Sequence, residues 1–142
     1  MRLRLEQQGF RVESRFDGSP DCVARSYGAV REFFRDEPCT GLSRALFEVH
    51  DRRNNVVLVA VAWVEMPDAA SARQFHDLVD RHGTGNVTEL SRGQGRYRNV
   101  RFSGEHYTSR RDGTTVVNVQ AQPVGRAAVA AGLIGIVADA AR

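Results

Sequence analysis

The sequence predicts an α+β domain with a ferredoxin-like βαββαβ core, an antiparallel sheet, an extra hairpin strand and a C-terminal helix. Three observations predict it. Residues 56–64 (VVLVAVAWV) are the only unbroken apolar run of strand length in the chain, which fits a strand buried on both faces. Residues 42–66 read as a hairpin whose second arm is that run. Around the hairpin, strand and helix periods follow one another in the order strand, helix, strand, strand, helix, strand. With 142 residues, 42% of them apolar, the chain suits one domain spanning 1–142 with room for a core.

The elements follow in order. Residues 1–8 suit a short helix ended by Gly9. Residues 10–16 alternate: Phe10, Val12, Ser14 and Phe16 face one way, Arg11, Glu13 and Arg15 the other. Asp17-Gly18-Ser19-Pro20 reads as a turn, and Asp21 as the N-cap of a helix over residues 22–34. That helix has Val23, Tyr27, Val30 and Phe34 on one face and is stopped by Pro38. In the hairpin, Ala45, Phe47 and Val49 alternate with Leu46, Glu48 and His50, and residues 51–55 form the loop. Pro67 ends the second arm. Asp68 caps a second helix with Ala72, Phe75, Leu78 and Val79 inside, and Gly83 ends it.

Residues 87–90 suit a short strand. A second hairpin follows over residues 96–109 and 114–122, its turn marked by Asp112-Gly113. On the return arm Thr115, Val117, Val119 and Ala121 share one face, and Asn118, Gln120 and Gln122 share the other, which is expected to be wet. Pro123 and Gly125 break the chain before a final helix over residues 126–141. Both faces of the central strand need cover. Two helices supply one side, and either a partner subunit or the terminal helix supplies the other.

All positive charge comes from twenty arginines, with no lysine, and the net charge is +3. We attribute the preference for arginine to codon usage in a GC-rich genome. The charge permits an acidic partner without requiring one. Residues 1–10 lack the apolar stretch of a secretory leader, and no run reaches the roughly 20 apolar residues of a membrane span. The expectation is a cytoplasmic protein as the chain stands, or an exported or membrane-tethered one if an N-terminal anchor lies outside it.

Cys22 and Cys39 are candidates for a disulfide or for two unrelated thiols. If one helix ran from residue 22 to residue 34, its ends would lie about 18 Å apart. Five further residues reach back at most about 17 Å. A bridge therefore needs the helix to start later, or the tail to fold straight back along it.

The stretches EPCTGLSRALFEV, LVAVAWVEMPDAASAR, DRHGTGNVTELSR and RRDGTTVVNVQAQPVG resemble a group of uncharacterised actinobacterial proteins of unknown function. The resemblance spans most of the chain and implies no activity. Some members of that group look membrane-anchored, with the domain outside the cell.

No catalytic or metal motif stands out, and no cofactor is expected. The densest cluster is residues 92–111, where Arg92, Arg96, Arg98, Arg101, Arg110 and Arg111 face one acid, Glu105, with Tyr97, Phe102 and Tyr107 interleaved. Arginine grips phosphate or carboxylate through paired hydrogen bonds, and aromatic rings stack bases. Arg96, Arg98, Arg101, His106 and Tyr107 are therefore the candidates for an anionic ligand or nucleic acid, against a solvated hairpin. By strand parity with Val100 and Phe102, His106 is expected to face the sheet interior, where a partly buried histidine bonded to backbone is favoured over an acid or base in a pocket between sheet and helices. His76 and Asp80 lie four apart on the second helix with no third ligand in register, so an ordinary surface pair is favoured.

Gly83-Thr84-Gly85 and Gly93-Gln94-Gly95 do not precede helices and so lack the geometry of phosphate loops. Ser91, Ser103 and Ser109 sit in no nucleophile elbow. The leading expectation is a non-enzymatic binding or interaction module that self-associates, as a homodimer, through its sheet or terminal helix. The alternatives are a small enzyme or ligand-binding protein with a pocket near His106, and a nucleic-acid binder using the Arg-rich hairpin.

Overall fold

The structure, a computed structural model, describes residues 6–7, 9–81, 83–92 and 95–125. Five strands form one antiparallel sheet: β1 (Arg11–Ser19), β2 (Gly41–His50), β3 (Val56–Glu65), β4 (His106–Asp112) and β5 (Thr115–Val124). Helix α1 (Gly28–Asp36) lies between β1 and β2, and α2 (Ala69–Val79) between β3 and β4. The sheet order is β1-β2-β3-β5-β4, with every neighbouring pair antiparallel. This is an α+β fold, but the ferredoxin-like core is not confirmed, because this strand order is unusual for it. The helix after β1 returns the chain to the strand beside β1 rather than crossing over to a parallel neighbour.

The apolar run becomes the middle strand. Val57, Leu58, Val59 and Val64 are completely buried, each buried side chain contributing about 2 kcal/mol of transfer free energy. On one face, Val12, Ala45, Val49, Val57, Val59, Val61, Val117, Val119 and Ala121 form a cluster bordered by Phe10, Phe47 and Trp63. On the other, Leu42, Val64 and Val116 pack with Val30 and Phe34 of α1 and with Ala72, Phe75 and Val79 of α2. The rings of Phe34 and Phe75 lie 5.0 Å apart and join the two helices. Both helices therefore sit on a single face of the sheet.

Several sequence expectations change. β1 runs on through Asp17, Gly18 and Ser19, which pair with Arg44, Ser43 and Leu42, so the expected turn is strand. Phe16 keeps its parity but is 69% exposed at the sheet edge, its ring edge-on to Phe47. Asp21 caps only a short turn, accepting from the Ala24 amide at 3.0 Å. Helix α1 starts later, behind Tyr27, which makes no side-chain cap. The delay lets residues 22 and 39 approach: they form a disulfide with Cα atoms 6.2 Å apart.

Val87 makes only an isolated bridge to Ser26, and Leu90–Arg92 is a single 3-10 turn, so no short strand forms there. The second hairpin starts at His106 rather than at residue 96. The face carrying Asn118 and Gln120 is not wet, since both side chains are buried. Asp68 does cap α2, accepting from the Ser71 amide at 2.7 Å. Most of the short helix expected over residues 1–8, and all of the terminal helix over 126–141, lie outside the described residues. Among those described, no helix is long and apolar enough to cross a membrane.

Candidate functional site

Between α2 and β4, residues 86–90 lie as a strap along the segment that precedes α1. The Tyr27 amide donates to the Asn86 carbonyl at 3.0 Å, and the Thr88 amide donates to the Arg25 carbonyl at 2.8 Å. Two glycines permit the approach. A Cβ on Gly85 would fall 2.2 Å from the Tyr27 carbonyl oxygen, and one on Gly28 would fall 2.8 Å from that of Thr84.

Beneath the strap the sheet carries the small residues Ala60 and Ala62, flanked by Arg44 on β2 and by Asn118 and Gln120 on β5. Those alanines leave height for a polar layer inside the fold. Asn118 Nδ2 donates to Asn86 Oδ1 at 3.2 Å, and Arg44 Nη1 donates to the Thr88 carbonyl at 2.8 Å. Burial raises the pKa of the Glu89 carboxyl, while Arg92 and Gln120 act against the shift. This polar layer runs under the strap and joins two larger clefts.

The first cleft, about 560 Å³, lies where β1 and β2 meet the strap, among Arg15, Phe16, Asp17, Arg25, Arg44 and Glu89. Asp17 Oδ2 accepts from both Arg25 Nη1 and Arg44 Nη2, each at 2.5 Å. The Arg44 hydrogen bond, with the charges of both guanidiniums, holds the Asp17 carboxyl below its usual range. Arg44 is only 8% exposed, and its Nε has no partner. Three arginines thus line a cleft that holds two acids, Asp17 and the buried Glu89, whose pKa burial raises. The cleft suits an anion.

The second cleft, about 420 Å³, lies across the strap, among Tyr27, Asp80, Asn86, Phe102, Tyr107 and Gln120. Tyr107 Oη donates to Asp80 Oδ1 at 2.9 Å, and Ser109 Oγ donates to the same oxygen at 2.5 Å. Burial, then the Asp80 acceptor, raises the Tyr107 phenol pKa strongly. His76 Nε2 lies 2.8 Å from Ser109 Oγ and 3.3 Å from Asp80 Oδ2. These are the residue types of a serine hydrolase in the wrong arrangement. A catalytic aspartate holds the ring nitrogen opposite the serine, whereas here serine and aspartate share one nitrogen. The Ser109 proton is already committed to a carboxylate. The network ties α2 to β4.

The structure separates the residues expected to act together. Arg96, Arg98 and Arg101 are exposed. Tyr97 turns inward against Leu46 and Leu58, with the Arg96 guanidinium 5.7 Å from its ring centroid. Phe102 packs on the same cluster. His106 pairs with Ala121, on the face away from the helices, and lines neither large cleft. The pocket expected near His106 is therefore not one of these clefts. Tyr107, one residue on, faces the helices.

Sequence reading missed Asp17, Arg25 and Arg44. Arg44 did leave a signal, because it shares strand parity with Leu42 and Leu46 and so is an arginine on a core-facing row. Among the described residues, one trio of carboxylates and imidazole is close enough to hold a metal ion: Glu13, Glu48 and His50. Comparison of the chain with protein-family models, curated proteins and solved structures finds no match in any of the three.

Proposed function

We propose that this domain is a non-enzymatic binding module that takes a small anionic ligand in the cleft formed by Arg15, Arg25 and Arg44. One observation carries the reading: a buried guanidinium with an unpartnered Nε stands at the back of an open cleft that has two more arginines on its walls. Arg44 gives a fixed donor, and Arg25 can exchange part of its hold on Asp17 for a ligand carboxylate or phosphate. The arrangement at Ser109 favours binding over catalysis.

The test is calorimetric titration with inorganic phosphate and with a short dicarboxylate, on the wild type and on Arg15→Gln/Arg25→Gln. These rim residues are chosen because neither belongs to the core. Saturable binding that weakens at least about tenfold in the double variant is expected, since charge-assisted hydrogen bonds contribute about 1.5–3 kcal/mol each. Equal binding by both proteins, or no binding by either, defeats the reading.

A second reading, self-association, rests on Phe16. This aromatic side chain is 69% exposed on an edge strand, beside the partly buried Phe47 and at the border of an apolar sheet face. A second copy packed on this edge would cover it. Light scattering of the wild type should then show a dimer that Phe16→Ser returns to monomer. A wild type that stays monomeric at tens of micromolar removes this reading. The nucleic-acid alternative has less support, because Tyr97 is buried and Phe102 is partly buried against the same cluster, which leaves little stacking surface beside Arg96, Arg98 and Arg101.

A further inference from the structure

A divalent-cation site fits on the helix-side face of the first two strands, away from both clefts. Antiparallel register sets Glu13 directly opposite Glu48, and Arg11 opposite His50. Alternation places Glu13, Glu48 and His50 on one face, and one ligand atom from each lies within 4.8 Å of the others. Two like-charged carboxylates facing each other across a strand pair destabilise the sheet unless something lies between them.

The imidazole is the independent observation. His50 is only 4% exposed, and its Nε2 has no hydrogen-bond partner. A buried ring nitrogen without a partner is costly and needs an explanation. Its other nitrogen does have one, since Nδ1 lies 3.3 Å from Asn54 Oδ1. With Asn54 Oδ1 as the acceptor, the tautomer that donates from Nδ1 presents Nε2 as a free electron pair for a metal ion. Nε2 lies 4.0 Å from Glu13 Oε2.

The hairpin loop is built to hold this orientation. Asp51 accepts from the amides of Arg53 and Asn55 and from the Asn55 side chain. The resulting turn carries Asn54 at a φ of 63°. Fixing one imidazole nitrogen through an outer hydrogen bond, so that the other faces a metal, is a recurring feature of metal centres.

We propose that Glu13, Glu48 and His50 form a binding site for a divalent transition-metal ion, with zinc as its best probe. One imidazole and two carboxylates suit zinc and its first-row neighbours, which accept mixed nitrogen and oxygen ligands. Three protein ligands leave a coordination position open. The Glu13 side chain is 50% exposed and gives the ion a way in, while His50 closes the inner side. The two Glu13 oxygens already divide their work: Oε1 meets Arg11 at 3.5 Å, and Oε2 faces His50. Arg11 and Arg96 oppose the incoming ion by charge, so micromolar affinity is expected. A bound ion would fasten β1 to β2.

The experiment is calorimetric titration of zinc into the full chain after chelator treatment and dialysis. One ion per chain is expected. His50→Gln and Glu48→Gln should each weaken binding more than about tenfold, and Asn54→Ala about tenfold through lost orientation. His76→Gln, which alters the other histidine–carboxylate pair, should leave binding unchanged. Absence of binding at millimolar zinc overturns the proposal. So does binding that survives both His50→Gln and Glu48→Gln, or that His76→Gln removes. If a variant fails to fold by circular dichroism, the wild type decides by nitrogen NMR: zinc must shift His50 Nε2, and an unchanged Nε2 overturns the site.

Discussion

Asp17 shows how much one carboxylate can carry when one of its partners has little access to water. It sits between two guanidiniums at 2.5 Å, and the Arg44 side chain is only 9% exposed. Replacing it leaves a buried positive charge with only backbone to hold it. We expect Asp17→Asn to cost about 3 kcal/mol, measured by urea denaturation at neutral pH. Because the folded-state pKa of Asp17 lies below the unfolded value, its contribution is complete above the unfolded value of about 4 and fades as pH falls through the lower folded one. The wild type should therefore lose stability on acidification below about pH 4, and that arm should be shallower in the Asn variant. An equally steep acid arm in both proteins would show that other carboxylates dominate.

At the scale of elements, the strap is the piece most exposed to small changes. It is fastened by close backbone contact rather than by a large apolar face. Gly85→Ala would bring a methyl group 2.2 Å from the Tyr27 carbonyl at a φ of +94°, and neither backbone can yield cheaply. A loss of about 3 kcal/mol is expected. Faster hydrogen exchange at the Tyr27 and Thr88 amides should accompany it, because their two hydrogen bonds join the strap to the segment before α1. The segment before α1 is tied down separately by the bridge between Cys22 and Cys39, which are 17 residues apart. Closing a loop of that length contributes about 3 kcal/mol in the chain-entropy model. Reduction should accordingly lower the melting temperature by roughly 10 °C, and Cys22→Ser/Cys39→Ser should match the reduced wild type. Identical melting with and without reductant would mean that the bridge does not constrain the unfolded chain.

Across the whole molecule, the two sheet faces divide the work. The face under the helices holds the strap, the clefts and the carboxylate pair, and the opposite face is an apolar cluster. The positive charge does not gather into one surface: Arg15, Arg25 and Arg44 line a cleft, and Arg96, Arg98 and Arg101 lie outside it. A net charge of +3 spread this way should give only weak, sequence-blind attraction to nucleic acid. We expect no retention of single- or double-stranded DNA at physiological salt in filter binding. Retention that persists at that salt would revive the nucleic-acid reading.

The sequence by itself determined the local elements. The VVLVAVAWV run reads as a strand packed on both faces, because its length, its β-branched valines and the turn residues that bound it suit a strand, and no alternation leaves one face polar. Asp68 had to cap α2, and Asp112-Gly113 had to turn a hairpin, because these signals act over three or four residues. Tertiary structure alone decided that β1 lies beside β2 and β5 beside β3, since outside the two hairpins antiparallel pairing leaves little trace of partner choice in alternation. It also decided that Asn118 and Gln120 would be buried. Their alternation with valine reads as a wet face until the strap, anchored by glycines far away in sequence, is laid over them. The sites follow the same rule. Glu13 and Glu48 are 35 positions apart, and Asp17 and Arg44 are 27 apart. Nothing local marks either pair, because the register that joins them is set by burying the valines on the other side of the same strands.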